Sequence, residues 1–430
     1  MIRFLQIESA SGVVLLIGTA TALILANSPW ANAFFDFWNI PVYVGLGTWE
    51  FRESLSHWIN DGLMTIFFFV VGLEIKRELV SGELRDPKKA ALPVMAALGG
   101  MVAPAVIYLM LRSGQPGSSG WGVPMATDIA FVVGFLALLG SRVPLGLKIL
   151  LLSLAIADDV GALLVIAIFY STGTSFVHLG WAALGFTVIV LLNRIGVRQV
   201  PVYIVVGIGI WFAVLHSGVH PTVTGALLGL LTPASAWVGD RSFLDVAGDI
   251  LRWLRTASAG RMEPDRRQVL SHLRAAAREA VSPLERLETA LHPWVAFGVM
   301  PLFALANAGV RIEPAAFLHP VAVAVAAGLA LGKPLGVLLF SWFAVRTGLA
   351  RLPTGVDWRV MLGGGCLAGI GFTMSLFIAG LALDEELLDA GKIGTLIGSA
   401  FSAVIGCLLL LASLPMQPAL EFSDESANHN

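Results

Sequence analysis

The chain of 430 residues is poor in charge and in cysteine. Asp, Glu, Lys and Arg make up only 13% of it, against about 25% in a typical soluble domain. The two cysteines, Cys366 and Cys407, both lie in apolar segments, which excludes a disulfide framework and leaves packing as their simplest role. The net charge of -2, with no continuous basic face, argues against a nucleic-acid partner.

Apolar residues, in contrast, make up 57% of the chain, and the mean hydropathy is +0.81. We therefore expect an all-α integral membrane protein that has the lipid bilayer as its surroundings. The first apolar stretch also resembles a signal peptide, because Ala31-Asn32-Ala33 could be a cleavage site, but its length and Glu8 favour a membrane span. Windows of about 19 residues identify twelve candidate spans, at residues 11–26, 57–79, 90–111, 121–139, 145–170, 176–193, 201–217, 219–232, 293–309, 319–345, 357–382 and 393–414.

The distribution of basic residues tests this topology, because cytoplasmic loops are rich in Lys and Arg. If the amino terminus is cytoplasmic, 22 of the 27 Lys and Arg residues fall on the cytoplasmic side. The opposite side receives Arg52, Arg112, Arg311 and Lys392, and Lys333 is left inside the membrane. The sequence thus predicts twelve spans with both termini cytoplasmic.

Two loops have patterns of their own. Residues 41–52 alternate in polarity around Gly45 and Gly47, which resembles a β-hairpin on the outer side. An isolated hairpin is marginally stable in water, so we expect it to pair with another element, such as a second subunit. In the long loop 234–292, residues 266–278 have the pattern of a cationic amphipathic helix, which either lies on the inner leaflet or offers a binding surface.

The end of this long loop begins a helix. Ser282-Pro283-Leu284-Glu285 matches a capping box with proline at the first helical position, and predicts a short helix that stops at Pro293. Glu288 and His292 lie four residues apart on one face of that helix. The polar tail after residue 414 is expected to be disordered.

Spans three to five and ten to twelve form two triplets that start on opposite sides of the membrane. Repeats of this kind are inverted, which is an architecture of secondary transporters. The middle span of each triplet contains a candidate helix break, at Thr127-Asp128 in span four and at Gly369, Gly371 and Thr373 in span eleven. Glycine is also common where membrane helices pack closely, but two breaks at matching positions favour interrupted helices.

These observations divide the chain into a core domain, an interface domain and a tail. The core domain contains the two repeats, at residues 90–170 and 310–414. The interface domain contains residues 1–89, with spans one and two and the hairpin at about 41–53, and residues 171–309, with spans six to nine and the long loop. Residues 415–430 form the tail.

Four charged residues lie near the middle of the membrane: Asp158 and Asp159 in span five, Lys333 in span ten, and Asp128 beside the break in span four. A charge at this depth costs about 2.5–3.5 kcal/mol or more, and such residues usually serve transport. Asp128 would offset the positive N-terminal ends of the half-helices, and Lys333 the negative C-terminal ends. A buried salt bridge between Asp158 and Lys333 that only fixes helix packing is the alternative, although one cation cannot neutralise three carboxylates.

The remaining carboxylates can be neutralised by a proton or by a small monovalent cation, and the two would compete for the same oxygens. Adjacent helical residues point about 100° apart, so Asp158 and Asp159 cannot be equivalent. We expect Asp159 to be the main ligand of this cation, with Thr127 and Asp128 nearby. Asp158 is expected to exchange its proton, or its contact with Lys333, during the cycle.

From about residue 8 to residue 412, the chain resembles the bacterial NhaA-type sodium/proton antiporters. The resemblance covers motifs in the same order along the chain, namely WINDGLM (58–64), VGLEIKRE (71–78), ATDIAF (126–131), ADD (157–159), LHPW (291–294), ANAG (306–309), GKP (332–334) and GFTMS (371–375). Antiporters of this family are themselves an example of inverted repeats, so the repeat pattern and the resemblance are not independent.

The resemblance implies an electrogenic antiporter in the bacterial inner membrane that exports one Na+ or Li+ for two imported H+ and is activated at alkaline pH. It implies no cofactor and a homodimer joined partly through the hairpin, here Pro41 to Arg52. Asp158 and Asp159 would be the essential pair, and Asp128 and Lys333 would compensate charge. A two-for-one exchange moves net charge, which is worth about 2.3 kcal/mol per 100 mV of membrane potential.

The resemblance also assigns a pH-response cluster to Glu74, Glu288 and His292. A plain network of interfacial ion pairs is the alternative role for Glu74. His220, beside an outer loop, is a further candidate because histidine titrates near the working range, or else it only forms a hydrogen bond. The segment 234–281 is longer than the family pattern needs, which weakens the transfer of the pH-response geometry.

Two other functions are compatible with parts of the sequence. A sodium-coupled solute symporter shares inverted repeats and broken helices, but would need a larger polar or aromatic pocket. An intramembrane aspartyl protease could use Asp128 and Asp158, which lie on different spans, but the usual Tyr-Asp and Gly-x-Gly-Asp signatures are missing and Lys333 does not suit a proton-sharing pair. We therefore predict a transporter and not an enzyme. Its preference among Na+, Li+ and K+ stays open.

Overall fold

The computed structural model describes residues 2–46, 49–171, 173–197, 199–236 and 280–414, and the single residues 248, 252 and 274. Over these residues the chain is nearly all helical, with one two-stranded sheet. The predicted amphipathic helix at 266–278, apart from residue 274, and the predicted disordered tail lie outside the described residues.

The elements are numbered here in chain order. The sheet has strands β1 (Pro41–Leu46) and β2 (Trp49–Ser54). The helices are α1 (Ile2–Ala26), α2 (Ala31–Trp38), α3 (Leu55–Ser81), α4 (Pro87–Arg112), α5 (Ile129–Leu138), α6 (Leu145–Phe169), α7 (Phe176–Ile195), α8 (Val200–Leu215), α9 (Thr222–Leu231), α10 (Pro283–Asn307), α11 (Pro320–Arg346), α12 (Trp358–Ala368), α13 (Phe372–Ala382) and α14 (Glu385–Ser413), with short 3-10 helices at Glu83–Arg85, Ser118–Met125, Gly140–Arg142 and Pro314–Leu318.

Most of these helices are long enough to cross a bilayer. In the described part of the chain, eight helical segments have the necessary length and apolar composition, or up to ten if each of two bent pairs is one span. The helices α8 and α9 correspond to predicted spans seven and eight, but have only 16 and 10 residues. A helical membrane protein is thereby confirmed, while the count of twelve spans and the inverted repeats stay predictions.

Both predicted helix breaks coincide with interruptions. The helices α12 and α13 are separated by residues 369–371 and bend by 47°. In predicted span four, the 3-10 helix ends at Met125, and the backbone is extended at Ala126 and Asp128 before α5 begins. Two short half-helices therefore meet non-helical backbone in each of these spans.

Small residues let the helices that carry the charged groups approach closely. The helices α4 and α11 cross where Gly99 faces Gly336, and a Cβ atom on either glycine would lie within 2.1 Å of the carbonyl oxygen of the other. The next residue, Gly100, packs against the Lys333 side chain. Glycine is required at such a crossing because any side chain would separate the two backbones.

The predicted hairpin is confirmed by β1 and β2. The two strands pair antiparallel, with Pro41 opposite Ser54 and Tyr43 opposite Arg52. The Arg52 guanidinium lies 5.0 Å from the centroid of the Tyr43 ring, a cation–π contact across the strands. The turn residues 47 and 48 lie outside the described part of the chain.

The predicted short helix that stops at Pro293 is wrong. The capping box is present, since the Glu285 N–H donates to Ser282 Oγ at 3.2 Å. The helix α10 then continues through Pro293 to Asn307. Proline removes one hydrogen bond from a helix interior, and here it is followed by a wider π-helical turn at Val295–Val299, which accommodates the altered bonding.

Candidate functional site

The two interrupted spans cross each other and satisfy the backbone groups that each interruption leaves free. The Asp128 N–H donates to the Ile370 carbonyl at 2.7 Å. The Thr127 hydroxyl donates to the carbonyl of Ala368 at 2.9 Å, at the C-terminal end of α12. Gly371 is needed here for close approach, because a Cβ atom would lie 2.8 Å from the Ala126 carbonyl oxygen. Carbonyl groups at a helix end need such partners when water is excluded.

The Asp128 carboxylate accepts hydrogen bonds from two helix N-termini. Its Oδ1 accepts from the Phe131 N–H of α5 at 3.4 Å, as an N-cap. Its Oδ2 accepts from the Thr373 N–H of α13 at 3.1 Å and from the Thr373 hydroxyl. The negative charge therefore lies where both half-helices present their positive ends.

Lys333 lies at the negative end of a helix, whereas Asp128 lies at positive ends. Its side chain is fully buried, and its Nζ donates to Asp158 Oδ2 at 2.7 Å and to the Met125 carbonyl. That carbonyl ends the 3-10 helix before the break, where the helix dipole is negative. A π-helical turn at Gly328–Gly332 precedes Lys333. The second oxygen of Asp158, Oδ1, is buried without a hydrogen-bond partner among the described residues.

Asp159 has different surroundings from its neighbour. It lines a cavity of about 60 Å³, together with Thr127, Asp128 and Thr373. Asp158 is not among the lining residues. No Lys, Arg or His of the described residues forms an ion pair with Asp159, whereas Asp158 is paired with Lys333. The two adjacent carboxylates thus differ in kind: one is neutralised by a lysine and the other faces open space.

The proposed pH-response residues lie in three places. Glu74 of α3 and His292 of α10 line the same cavity as Asp159. Glu288, one turn before His292, forms an ion pair with Arg77 instead. His220 lies elsewhere, in the turn between α8 and α9.

His220 belongs to a second cluster, around a buried carboxylate, which we name the Asp61 cluster and which consists of His57, Asp61 and His220. The Asp61 carboxylate has one oxygen 3.0 Å from His57 Nε2 and the other 3.6 Å from His220 Nε2. The Nδ1 atom of His220 lies 2.7 Å from the Thr222 hydroxyl. Burial lowers the pKa of His220, and the negative charge of Asp61 partly opposes this change.

Several residues at these sites were not found by sequence reasoning. Glu78 is buried and accepts hydrogen bonds from the Glu83 N–H and the Ser153 hydroxyl. Glu78 and Asp61 could have been found, because each is an acidic residue in or beside an apolar run. Ser399 accepts from two N–H groups at the start of α13. No sequence signal marks it, since serine is ordinary in membrane helices.

A permanently bound metal ion would need a different kind of site from a transported ion. Among the described residues, no group of three or more His, Cys, Asp or Glu side chains could hold a metal ion. The Na+ that the sequence predicts at Asp158 and Asp159 would be a substrate that binds and leaves. The polar groups that line the largely apolar cavity include carboxylate and hydroxyl oxygens, which are suited to hard cations.

Buried charges on interrupted apolar helices define this chain as a membrane transport protein for small ions. The sequence profile of the family described as Na+/H+ antiporter 1 matches residues 2–410. The chain is 52% identical to the Na+/H+ antiporter NhaA of Rhodopirellula baltica, over 96% of this chain and 94% of that protein. It is 51% identical to NhaA of Rhizobium meliloti, over 95% and 93%, and 48% identical to NhaA 2 of Vibrio vulnificus, over 95% and 91%.

The chain therefore belongs to the NhaA family of Na+/H+ antiporters. This confirms the resemblance drawn from the motifs. The prediction of a transporter in place of an enzyme is also confirmed, because the matched relatives are antiporters.

Proposed function

We propose that this protein is an electrogenic antiporter that exports one Na+ or Li+ for about two imported H+, is activated at alkaline pH, and serves sodium and pH homeostasis. The carrying observation is the contrast between Asp159, which faces a cavity without an ion-pair partner among the described residues, and Asp158, which is paired with Lys333. A free carboxylate in a narrow, largely apolar cavity favours binding of a proton or a dehydrated cation.

In this proposal, Asp159 binds the cation with help from Thr127 and Asp128. The cation and a proton compete for the same oxygens, so loading one releases the other. Asp158 changes its proton or its contact with Lys333 as the site alternates between the two sides. Asp128 and Lys333 compensate the helix ends, which keeps the interrupted backbone stable in both states.

The exchange ratio makes the transport sensitive to voltage. Two protons entering for one cation leaving move one net positive charge inward. A membrane potential of 100 mV, negative inside, then contributes about 2.3 kcal/mol per cycle. The supporting observation is that three carboxylates and one lysine converge here, so the site has more than one proton-binding group.

The structural part of the proposal is a chain of twelve spans in a bacterial inner membrane, with both termini cytoplasmic. Residues 90–170 and 310–414 form the inverted core repeats, and residues 1–89 and 171–309 the interface domain. We propose a homodimer joined through β1 and β2. Its support is that a two-stranded sheet gains stability only when it packs against another element.

The pH response is assigned to Glu74, Glu288 and His292, with His220 as a separate contributor. Glu74 and His292 line the cavity of Asp159, so a change in their charge acts on the bound ion directly. Glu288 acts through its ion pair with Arg77. His220 does not line that cavity and would act separately, through the Asp61 cluster.

The two rival functions find little support in the geometry. A cavity of about 60 Å³ is far smaller than the roughly 300–1,000 Å³ of a small-molecule site, which disfavours a solute symporter. An aspartyl protease needs two carboxylates that share a proton, whereas Asp158 is paired with Lys333.

The test is proton flux reported by a dye in proteoliposomes, titrated with Na+, Li+ and K+ from pH 6 to 9. Wild type should release protons on addition of Na+ or Li+, more strongly at alkaline pH, and should respond to an imposed membrane potential. Asp159→Asn should abolish the cation response. Retention of that response in Asp159→Asn, with loss in Asp158→Asn, would reverse the assigned roles, and solute uptake coupled to Na+ would favour the symporter.

A further inference from the structure

The N-terminal end of α13 is shared between two acceptors from different parts of the chain. The first helical residues have N–H groups without partners in their own helix. The Gly371 and Phe372 N–H groups each donate to Ser399 Oγ at 3.2 Å. The next N–H group, of Thr373, donates to Asp128 Oδ2 at 3.1 Å.

Ser399 is well placed for this contact. It lies near the middle of α14, is almost completely buried, and reaches α13 across the helix interface. A serine hydroxyl has two acceptor lone pairs, so one oxygen can serve both N–H groups. Its dipole offsets part of the positive end of α13, and the Asp128 carboxylate offsets the remainder.

We propose that Ser399 is a positioning residue for cation binding. By accepting from the first two N–H groups of α13, it offsets part of the positive charge at this helix end and leaves the Asp128 carboxylate more available to the ion beside Asp159. Loss of the hydroxyl leaves these two buried N–H groups without their acceptor, at the helix end that already donates to Asp128. The positive end of α13 then acts more strongly on the Asp128 carboxylate, and the local potential becomes less favourable for Na+. The inference rests on the proposed function, because it assumes that the ion binds at Asp159 and Asp128.

The same helix provides a matched control. Ser402 lies three residues further along α14 and is also buried. Its hydroxyl donates at 3.4 Å to the carbonyl of Leu329 in α11 and makes no hydrogen bond to α13. Replacing Ser402 therefore removes a buried hydroxyl from the same helix and leaves the N-terminal end of α13 unchanged.

The experiment compares Ser399→Ala, Ser399→Cys and Ser402→Ala with wild type. Na+ binding to the purified full-length protein is measured by calorimetry, and Na+-dependent proton flux is measured in proteoliposomes. Ser399→Ala should raise the dissociation constant and the KM for Na+ by about 3- to 10-fold, with the maximal rate changed by less than about twofold. Ser399→Cys is similar in size and accepts hydrogen bonds weakly, so it should lie between wild type and Ser399→Ala, while Ser402→Ala should match wild type.

Unchanged Na+ affinity in both Ser399 variants would overturn the inference, as would an equal rise in Ser402→Ala. If Ser399→Ala does not fold, the Na+ affinity of Ser399→Cys is compared with those of wild type and Ser402→Ala instead. Failure of the proposed function has a different signature: wild type would bind Na+ without any Na+-driven proton flux, and the effect of Ser399 on binding would still be measurable.

Discussion

Two regions of the molecule bury carboxylates, and they do so in opposite ways. In the Asp61 cluster, both oxygens of one carboxylate face histidines, at 3.0 and 3.6 Å. At the crossing of the interrupted helices, Asp158 has a lysine, Asp128 has helix ends, and Asp159 faces a cavity with no ion pair from the described residues. We expect the carboxylate held between two histidines to serve structure or the response to pH, and the carboxylate that faces the cavity to bind the transported ion.

The largest expected difference between the two regions appears when one carboxylate in each is replaced by an amide. Asp159→Asn should reduce Na+-dependent proton flux by at least about 100-fold, because it removes the main ligand. Asp61→Asn should leave Na+ affinity within a few-fold of wild type and change only the dependence of the proton flux on pH. Both are measured as flux in proteoliposomes across pH. A loss of Na+ affinity in Asp61→Asn as large as that in Asp159→Asn would end the distinction between the regions.

The second comparison concerns the two cationic partners. Lys333→Ala leaves Asp158 buried without its lysine and should lower stability by about 3–5 kcal/mol. His57→Ala removes a partly exposed partner of Asp61 and should cost about 0–1 kcal/mol. Melting curves of the purified protein in detergent measure both. The double variant Asp158→Asn with Lys333→Met should recover much of the loss, since no charge is then left unpaired. Equal stability of Lys333→Ala and wild type would contradict this account.

The smallest expected effect is a dependence of stability on pH in the Asp61 cluster. Burial lowers the pKa of His220 in the folded protein, so the unfolded chain binds a proton more readily. The contribution of His220 to stability should therefore fall as pH decreases below about 6.5, the usual histidine value. His220→Gln should remove this part of the decrease between pH 5 and pH 6.5, and leave stability at pH 8 nearly unchanged. Melting curves at several pH values check it. A parallel decrease in the variant and wild type would show that His220 is not the group responsible.

Much of the fold follows from local features of the sequence. Apolar runs, the hairpin alternation and the capping box each depend on residues close together in the chain, and each is present in the structure. The helix that was expected to end at Pro293 shows the limit of such reasoning. Proline disfavours a helix interior by a local cost, but packing and a wider turn kept α10 continuous.

The sequence predicted the residues of the candidate site and the contact of Asp158 with Lys333, but not the hydrogen bonds that join the two interrupted spans. The predicted depth of Asp158, Asp159 and Lys333 follows from counting along apolar spans. The hydrogen bonds from Thr127 to Ala368 and from Thr373 to Asp128 join residues more than 240 positions apart. Contacts of this separation depend on how whole helices pack, which no short pattern records.

The amino-acid sequence by itself determined that this is a helical membrane protein with acidic residues and one lysine inside apolar segments, because hydropathy and charge act residue by residue. The tertiary structure alone decided that Lys333 pairs with Asp158 and that Asp159 faces the cavity. Adjacent helical residues diverge by about 100°, so one of them had to face away from the lysine. The rotation of α6 against α11 selected which one.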